Sequence, residues 1–345
     1  MGQLGFFDAD KRLAALSVKG DPLETIERLV PWESFRADIE VVVLTPDQAK
    51  KSSAGRKPFD AILMFRMLVL QSLYNLSDEQ VEYQVRDRLS FTRFLRLGIE
   101  DRIPDGTTLW LFREKLAKAG LMEKLFDRFD RHLGAKGYIA RGGQIIDASI
   151  VAVPTQRNTR DENEAIKGGR TPAGWEETPA KNRQKDKDAR WTKKHGQSFY
   201  GYKNHVNADA RYKLLRRYTV SDAAIHDSRK LDELLNMGNT SQAVFADSAY
   251  RSAEIETKLK ARGFKSRIHV RATRSHPLSN AKQEANRTKS RVRARVEHVF
   301  AAQQTSPGGR IVRTIGMVRA RAKIGLQNLI YNIRRLVTLE HMAAA

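Results

Sequence analysis

Residues 243–250, with the sequence AVFADSAY, place one carboxylate at the end of a short apolar run. The apolar residues 244–246 favour a β-strand, and the Asp-Ser pair that follows favours a turn. Asp247 is therefore predicted at the C-terminal end of a strand, where open α/β sheets gather their chemistry. In the competing interpretation, Asp247 only caps the helix predicted over residues 252–262.

Residues 144–154, with the sequence QIIDASIVAVP, repeat this design around Asp147. Two isoleucines precede the aspartate, and an isoleucine and two valines follow it. A carboxylate inside an apolar strand must be hydrogen-bonded, paired with a cation or bound to a metal, because an isolated buried charge is strongly unfavourable. A partner for Asp147 is therefore expected elsewhere in the chain.

Glu297 is the only carboxylate between residues 286 and 335, a region that holds twelve Lys and Arg residues. A helix is predicted over residues 283–304, since valines and a phenylalanine recur there at helical spacing. Glu297 and Arg293 lie on an adjoining face of that helix. The alternative role for Glu297 is a surface salt bridge to Arg293, which contributes only tenths of a kcal/mol.

The 345 residues include 62 Lys and Arg, 40 Asp and Glu and no Cys, which gives a net charge of +22 and a pI near 10.2. This charge indicates a polyanionic partner, and nucleic acid fits better than an acidic membrane because no apolar run approaches the ~20 residues that span a bilayer. The absence of Cys excludes disulfides, thiolate metal sites and cysteine nucleophiles. The N-terminal residues lack the features of a signal peptide, so a cytoplasmic location is expected.

The first part of the chain is predicted to be helical. Residues 1–56 are interpreted as an N-terminal segment and linker with a short strand at 41–44, and residues 57–135 as a compact helical DNA-binding domain. The turn at 104–108 begins a helix whose polar face is expected to be exposed, as in the recognition helix of a helix-turn-helix unit. This face carries Thr107, Thr108, Trp110, Arg113 and Glu114. A solvated face of an ordinary bundle helix is the alternative.

Residues 155–197 are polar, contain Gly and Pro throughout and show almost no apolar periodicity. This composition predicts a mobile loop inserted into the second domain. Trp175 and Trp191 are predicted to stack on bases, and Lys193 and Lys194 to contact phosphates. A solvent-exposed spacer is the alternative.

Residues 136–345 are predicted to form an α/β domain with a mixed sheet. The predicted elements are a hairpin of strands at 198–206 and 213–221, helices at 227–237, 253–262 and 283–304, strands at 243–247 and 267–270, and a C-terminal helix at 323–339. Two of the three acids described above fall on strands of this sheet.

Asp147, Asp247 and Glu297 are predicted to converge and to hold two divalent cations about 3.5 to 4 Å apart. Their oxygen ligands suit Mg²⁺, with Mn²⁺ as a substitute. On a basic protein, the substrate of such a pair of ions is a phosphodiester. His205 and His226 are the alternative ligands, but they lack the spacing of a zinc site and are interpreted as structural or supporting histidines.

The motifs DAS, ADSAY and RVEHVF around the three acids resemble those of the DDE transposases of the insertion-sequence-five family. The resemblance extends to the helical block from RKPFD to FDRFD with its PDGTTL turn, and to GYKNHV and SDAAIHDS between the two aspartates. It implies an RNase H-like fold with Asp147, Asp247 and Glu297 as the catalytic metal ligands. Arg293 matches an Arg of the family motif, and Tyr250 is predicted to support the site.

The sequence departs from the family pattern at Gln304, where the family often has a Lys. Arg310 or Arg313 is predicted to replace the phosphate contact of that Lys. Arg291 is predicted to contribute a further contact with DNA.

The resemblance implies a transposase that binds the terminal inverted repeats of an insertion element as a homodimer, cleaves the ends of the element and joins the 3′-hydroxyls to double-stranded target DNA. The alternatives are an RNase H-like nuclease without strand transfer and a catalytically silent DNA-binding protein. Metal-dependent cleavage separates the silent protein from the two enzymes, and joined products separate the transposase from the nuclease.

Overall fold

The computed structural model describes residues 8–44, 57–98, 100–194, 196–272, 277–305 and 311–344. Two compact units divide the chain. The described residues of Met1–His132 and Leu329–Ala345 form a helical unit, and those of Leu133–Asn328 form a unit built on a sheet. The linker predicted at residues 50–57 lies almost entirely outside the described residues.

Eight α-helices precede the sheet in the described part of the chain. They are α1 (Asp8–Val18), α2 (Pro22–Leu29), α3 (Arg36–Val43), α4 (Ala61–Tyr74), α5 (Asp78–Asp87), α6 (Leu89–Leu95), α7 (Gly106–Lys118) and α8 (Leu121–Ala135). None of the described helices, in either unit, combines the length and the hydropathy needed to cross a membrane.

The apolar helix α4 provides much of the core of the helical unit. Asp60 caps its N-terminus, since the carboxylate accepts hydrogen bonds from the backbone amides of Ile62 and Leu63, each at 2.9 Å. Eleven of its fourteen residues are buried, as expected of a helix that is apolar around most of its circumference. The buried residues include Arg66, whose guanidinium pairs with Glu27 at 3.0 Å.

The segment before α4 belongs to the same core. Trp32 lies edge-on to Phe65 of α4 with ring centroids 6.1 Å apart, and Ile39 of α3 is fully buried. The strand predicted at 41–44 is wrong, because these residues form the end of α3 and its C-cap. A four-residue apolar run has too little periodicity to separate a strand from a helix. The described residues 8–44 therefore belong to the helical unit and differ from the separate N-terminal segment that was expected.

Six strands form one mixed sheet in the described part of the second unit. They are β1 (Gln144–Ala152), β2 (Arg190–Lys194), β3 (Gln197–Asp209), β4 (Leu215–Asp222), β5 (Ala243–Phe245) and β6 (Lys265–Ser266). Strand β3 is antiparallel to β1, β2 and β4, whereas β5 runs parallel to both β1 and β6. Apart from β2, the spatial order β4-β3-β1-β5-β6 is that of an RNase H-like sheet, which confirms the predicted fold class.

Seven α-helices of the described chain accompany or follow these strands. They are α9 (Arg160–Lys167), α10 (Pro179–Gln184), α11 (Leu231–Leu234), α12 (Ala253–Ala261), α13 (Asn280–Arg293), α14 (Glu297–Thr305) and α15 (Met317–Ala344). The β3–β4 hairpin and α12 follow the predictions closely. The C-terminal helix is longer at both ends than predicted.

Three predicted elements differ in extent. The helix expected over 283–304 is divided by a 3₁₀ turn at Ala294–Val296, without a Gly or Pro to mark the break. The helix expected over 227–237 starts as a 3₁₀ turn and ends at Leu234. The strand expected over 267–270 is present only as β6, although the backbone amide of Arg267 still donates to Val244 of β5 at 2.8 Å.

The polar insertion is folded, so the prediction of a mobile loop at 155–197 is wrong: it contains α9, α10 and β2. Trp175 is only 1% exposed, and its indole N–H donates to Glu162 at 2.7 Å. The ammonium groups of Lys181 and Lys185 lie 5.2 and 5.7 Å from the centre of the indole ring. A single tryptophan with polar partners thus makes a small core that overall composition does not reveal.

Asp186 attaches this insertion to the sheet. Its buried carboxylate accepts hydrogen bonds from the hydroxyl of Tyr202 on β3, at 2.7 and 2.9 Å. The same carboxylate accepts from the backbone amides of Asp188 and Ala189, at 2.9 and 3.0 Å. These contacts satisfy a buried charge with several donors, which is the condition for keeping it inside a protein.

Trp175→Ala is expected to unfold the insertion locally, because the change leaves a cavity and removes the donor to Glu162. For a buried tryptophan the loss of local stability is roughly 3 to 5 kcal/mol. Limited proteolysis without DNA should leave wild-type residues 155–194 intact and cleave them in the variant. Trp191→Ala is the matched control, since that indole is 48% exposed. Equal resistance of all three proteins would contradict a core formed by Trp175.

Candidate active site

The parallel pairing of β1 with β5 places two aspartates side by side. Ile145 is the register partner of Phe245, and Asp147 and Asp247 each follow two residues later on their own strands. Asp147 is 9% exposed, whereas Asp247 is half-buried just beyond the end of β5. Asp147, within β1, and Asp247, just beyond the end of β5, therefore stand at equivalent positions of neighbouring parallel strands.

Asp247 caps a turn but not the helix considered in the alternative interpretation. Its carboxylate accepts from the backbone amide of Ala249 at 2.8 Å, within a 3₁₀ turn at Ser248–Tyr250. Helix α12 is capped by Ser252, whose hydroxyl accepts from the amide of Ile255 at 3.1 Å. The bond from the Ala249 amide explains the backbone conformation at Asp247 and uses one of its two carboxylate oxygens.

Arg293 pairs with Asp147 and not with Glu297. Its Nε lies 3.4 Å from Oδ2 of Asp147, while the backbone amide of Ala148 donates to Oδ1 at 2.9 Å. Glu297 is exposed as the first residue of α14, one turn of chain beyond Arg293. The partner that the buried Asp147 required is thus an arginine on the helix that leads to Glu297.

The electrostatics of Asp147 show that the three acids share one neighbourhood. Burial raises the pKa of Asp147, the Arg293 guanidinium and the Ala148 amide lower it, and the carboxylates of Asp247 and Glu297 raise it further. Because both acids act on this carboxylate, Asp247 and Glu297 each lie within Coulombic range of Asp147. Their convergence into one metal-binding site stays a prediction.

The chemistry of this site fits a divalent cation, although its geometry is not that of a closed metal site. Asp147 and the two carboxylates that repel it offer only oxygen donors, the ligands preferred by Mg²⁺ and Mn²⁺. Among the residues that the structure describes, no three Asp, Glu, His or Cys side chains are arranged closely enough to hold one ion. Glu297 and the Arg293 side chain would have to move for all three acids to bind the same cation.

Tyr250, His205 and His226 have different surroundings. Tyr250 is fully buried, its hydroxyl has no hydrogen-bond partner among the described residues, and burial together with Asp227, Asp147 and Asp247 raises its pKa well above the usual value. Burial lowers the pKa of His205 to about 4, and its Nε2 lies 2.8 Å from the hydroxyl of Ser221. His226 is exposed and bonds through Nδ1 to Ser228 at 2.7 Å.

An amide cluster beneath the site was not predicted from the sequence. Asn204 of β3 and Asn328 of α15 are buried and exchange hydrogen bonds of 2.9 and 3.1 Å. Gln303 of α14 donates to the same Asn328 at 2.7 Å. These bonds fix α14, whose first residue is Glu297, against the sheet. Asn204 lies within the GYKNHV motif, which was the only signal that pointed to it.

Some side chains of α7, the helix predicted to contact DNA bases, instead contact other residues of the helical unit. Arg113 forms two bonds with Asp78, at 2.6 and 2.9 Å, and one with Gln71 at 2.8 Å. Glu114 is buried, so its predicted exposure is wrong. The guanidinium of Arg113 is therefore used inside the helical unit. Thr107 and Trp110 are exposed and Thr108 is half-buried, which leaves these three available at the surface of α7.

Some of the other residues predicted to contact DNA are exposed and others are buried. Trp175 is buried and cannot stack on a base without unfolding its surroundings, so that prediction is wrong. Trp191 is half-exposed and packs against Tyr200, with ring centroids 5.2 Å apart. The exposed basic residues are Lys193, Lys194, Arg291 and Arg313, whereas Arg310 lies outside the described residues.

The charge is distributed unevenly along the chain. Residues 1–132 contain 21 Lys and Arg against 21 Asp and Glu, so the entire net charge of +22 lies in residues 133–345. Attraction to a polyanion is therefore a property of the part that contains the sheet.

An RNase H-like sheet with aspartates on neighbouring parallel strands and a glutamate on a following helix defines a phosphoryl-transfer domain of the DDE type. Two family models match this chain: Transposase domain (DUF772) over residues 11–115 and Transposase DDE domain over residues 140–333. The second match covers more than half of the sequence, and the chain belongs to the DDE transposase family. The two domains together are typical of transposases like those of the insertion-sequence-five family, although neither model names that subfamily.

A solved structure of a transposase is also similar. A piggyBac transposase synaptic complex with hairpin DNA, determined by cryo-EM, has 12% sequence identity, covers 91% of this chain and 72% of its own, and gives a TM-score of 0.42. The family membership makes this chain a DNA transposase, an enzyme that binds, cleaves and transfers DNA and depends on divalent metal ions.

Asp147→Asn is expected to stabilise the metal-free protein while it abolishes cleavage. Because the folded-state pKa of Asp147 is raised, its ionised form destabilises the fold, and stability rises as the pH falls through that pKa. The neutral amide keeps this gain at pH 7. Thermal unfolding in EDTA should show a higher Tm for the variant, and Mg²⁺ should reduce the difference. A lower Tm in EDTA would show that the ion pair with Arg293 outweighs the burial of the charge.

Arg113→Ala is expected to lower the free energy of unfolding by roughly 1 to 3 kcal/mol, because it removes charged hydrogen bonds to a half-buried carboxylate. Asp78→Ala should cost a similar amount, and the double variant less than the sum. Urea denaturation measures all three. Arg86→Ala is the control, since its side chain is 58% exposed and pairs with Glu82 along one helix; its loss should stay below about 0.5 kcal/mol. Additive losses at Arg113 and Asp78 would contradict the pairing.

Proposed function

We propose that this transposase moves an insertion element by binding its terminal inverted repeats as a homodimer, cleaving both ends and joining the 3′-hydroxyls to target DNA. The observation that carries the proposal is the equivalent placement of Asp147 and Asp247 on parallel strands, with Glu297 within Coulombic range. The protein acts on chromosomal DNA, and so in the cytoplasm of a bacterial cell.

Asp147, Asp247 and Glu297 would hold two Mg²⁺ ions, or Mn²⁺ in their place. Such ions activate the attacking oxygen, from water or a DNA 3′-hydroxyl, and stabilise the leaving oxygen. Arg293 is positioned to neutralise Asp147 before the metal binds and to turn toward a phosphate afterwards. Tyr250 and His205 support the site from within the core, where burial keeps both side chains uncharged at neutral pH.

DNA contacts are proposed on both units. The basic residues of the sheet-containing part supply most of the affinity, through phosphates and without regard to sequence. On α7, the exposed side chains of Thr107 and Trp110 and the half-buried Thr108 are proposed to reach base edges. On β2, Trp191 presents an aromatic face next to Lys193, which suits an unpaired base and its phosphate. Lys194, Arg291 and Arg313 are further exposed cations that would contact phosphates.

Each of Asp147→Asn, Asp247→Asn and Glu297→Gln is expected to reduce end cleavage below detection and to leave DNA binding within a few-fold of wild type. The substrate is a linear duplex carrying the element's own end, taken from the inverted repeats that flank its reading frame. Cleavage and joining are followed on gels with Mg²⁺, Mn²⁺ or EDTA. Glu254→Gln is the control, because Glu254 is an exposed acid on α12 that pairs only with Lys258 among the contacts of the described residues.

The outcomes separate the candidate functions. Metal-dependent cleavage followed by joined products supports transposition. Cleavage without joining by the wild-type protein would indicate a nuclease, and binding without metal-dependent cleavage would indicate a silent DNA-binding protein. Wild-type cleavage by any of the three variants would remove that residue from the catalytic set.

A further inference from the structure

Three basic side chains gather beside the catalytic aspartates, outside the set described above. The guanidinium of Arg251 and the ammonium of Lys289 both donate to the backbone carbonyl of Ile268, at 3.1 and 2.9 Å. Because one carbonyl oxygen accepts both, the two cations lie close to each other. Arg267 is the residue before Ile268 and carries a third positive charge within range of Lys289.

The local acids do not balance this positive charge. Glu256 is the carboxylate that faces the group; it lies 3.6 Å from Arg251 and accepts from the hydroxyl of Ser266 at 3.0 Å. Burial lowers the pKa of Lys289, the charges of Arg251 and Arg267 lower it further, and Glu256 opposes them only weakly. Three cations held together against their own repulsion, with one carboxylate, Glu256, beside them, form a site that an anion would stabilise.

This basic cluster, Arg251, Arg267 and Lys289, lies next to the catalytic site by its chain connections. Arg251 is four residues beyond Asp247, and the backbone amide of His269 donates to Ala246, the residue before Asp247. On α13, Lys289 stands one helical turn before Arg293, the partner of Asp147. If the scissile bond of a DNA strand lies at the three acids, a neighbouring phosphate of the same strand would lie at these cations.

The backbone around the cluster is held firmly. The side chain of Asn286, one turn before Lys289, both accepts from and donates to the backbone of Val270, at 3.0 and 2.9 Å. Helix α13 has no buried residue, so polar contacts of this kind fix its position. The cations are thus carried on a backbone that is already ordered, which lowers the entropic cost of binding an anion.

We propose that Arg251, Arg267 and Lys289 form a phosphate-binding site that contacts the DNA backbone one or a few nucleotides from the bond that is cut. This inference rests on the proposed function. It offers a replacement, on α13 and next to β5 and β6, for the phosphate contact of the family Lys that Gln304 replaces in this sequence. The ligand class is a phosphodiester, from either the element's end or the target DNA.

A structural role for Lys289 is the competing explanation, because its ammonium braces Ile268. Lys289→Gln separates the two roles, since the amide still has a donor for the Ile268 carbonyl but carries no charge. Lys289→Arg keeps the charge and should restore binding. Lys136→Gln removes the same charge from an exposed residue ahead of β1 and is the matched control. Thermal unfolding of each variant confirms that the fold is retained.

The first measurement is the salt dependence of binding to the end duplex by fluorescence anisotropy. Loss of one phosphate contact should reduce the slope of log K against log salt by about 0.9. The same reduction is expected for Arg251→Gln, and a smaller change for Lys136→Gln. An unchanged slope for both Lys289→Gln and Arg251→Gln would overturn the proposal.

The second measurement replaces single phosphates of the DNA with uncharged methylphosphonates. At the phosphate that the cluster contacts, the replacement should weaken DNA binding by the wild-type protein and have little further effect on DNA binding by Lys289→Gln. If a methylphosphonate in the end duplex has this effect, the basic cluster binds the element's end. If the effect is found only with the target duplex, the cluster binds target DNA. If no position shows this dependence, the proposal fails. Wild-type protein that binds but never cleaves contradicts the proposed function alone, because both readouts here are of binding.

Discussion

A carboxylate held inside a β-sheet is the constraint on which the catalytic unit depends. Asp147 is nearly buried, and among the described residues the Arg293 guanidinium and the backbone amide of Ala148 offset the loss of water around its charge. The guanidinium comes from α13, so this helix must lie close to β1. The same approach brings Glu297 near the two aspartates, and the buried amides of Asn204, Asn328 and Gln303 hold the next helix in place. The ion pair with Asp147 therefore adds to the polar contacts that place α13, whereas the amide bonds place α14.

The three acids of the candidate site could be picked out from the sequence because each differs in polarity or charge from the residues around it. Asp147 and Asp247 interrupt or end apolar runs, and Glu297 stands alone among cations. Such residues are unfavourable unless they have a partner or a function, and that physical cost is visible without a structure. The sequence predicted a mixed sheet but not the parallel register of β1 and β5, which places the two aspartates at equivalent positions.

The errors have a common physical cause: polar composition indicates average exposure but not a particular partner. Arg113 was expected at the surface, yet Asp78 and Gln71 on neighbouring helices engage it. Trp175 lies in a polar insertion, yet Glu162 and two lysines enclose its indole. The 3₁₀ turn at Ala294–Val296 has no Gly or Pro to announce it. These contacts join residues distant in sequence, and no local pattern encodes them.

The separation of charge along the chain has a consequence for competition inside a cell. A part with 22 excess positive charges is attracted to every stretch of a chromosome, because phosphates are the same at every sequence. On the proposed function, host DNA is then a vast competing ligand for the catalytic half of the protein. The balanced charge of residues 1–132 adds no net attraction of this kind. On the same proposal, contacts of the helical part with bases would supply the preference for the element's ends, and this preference would persist as the ionic strength rises.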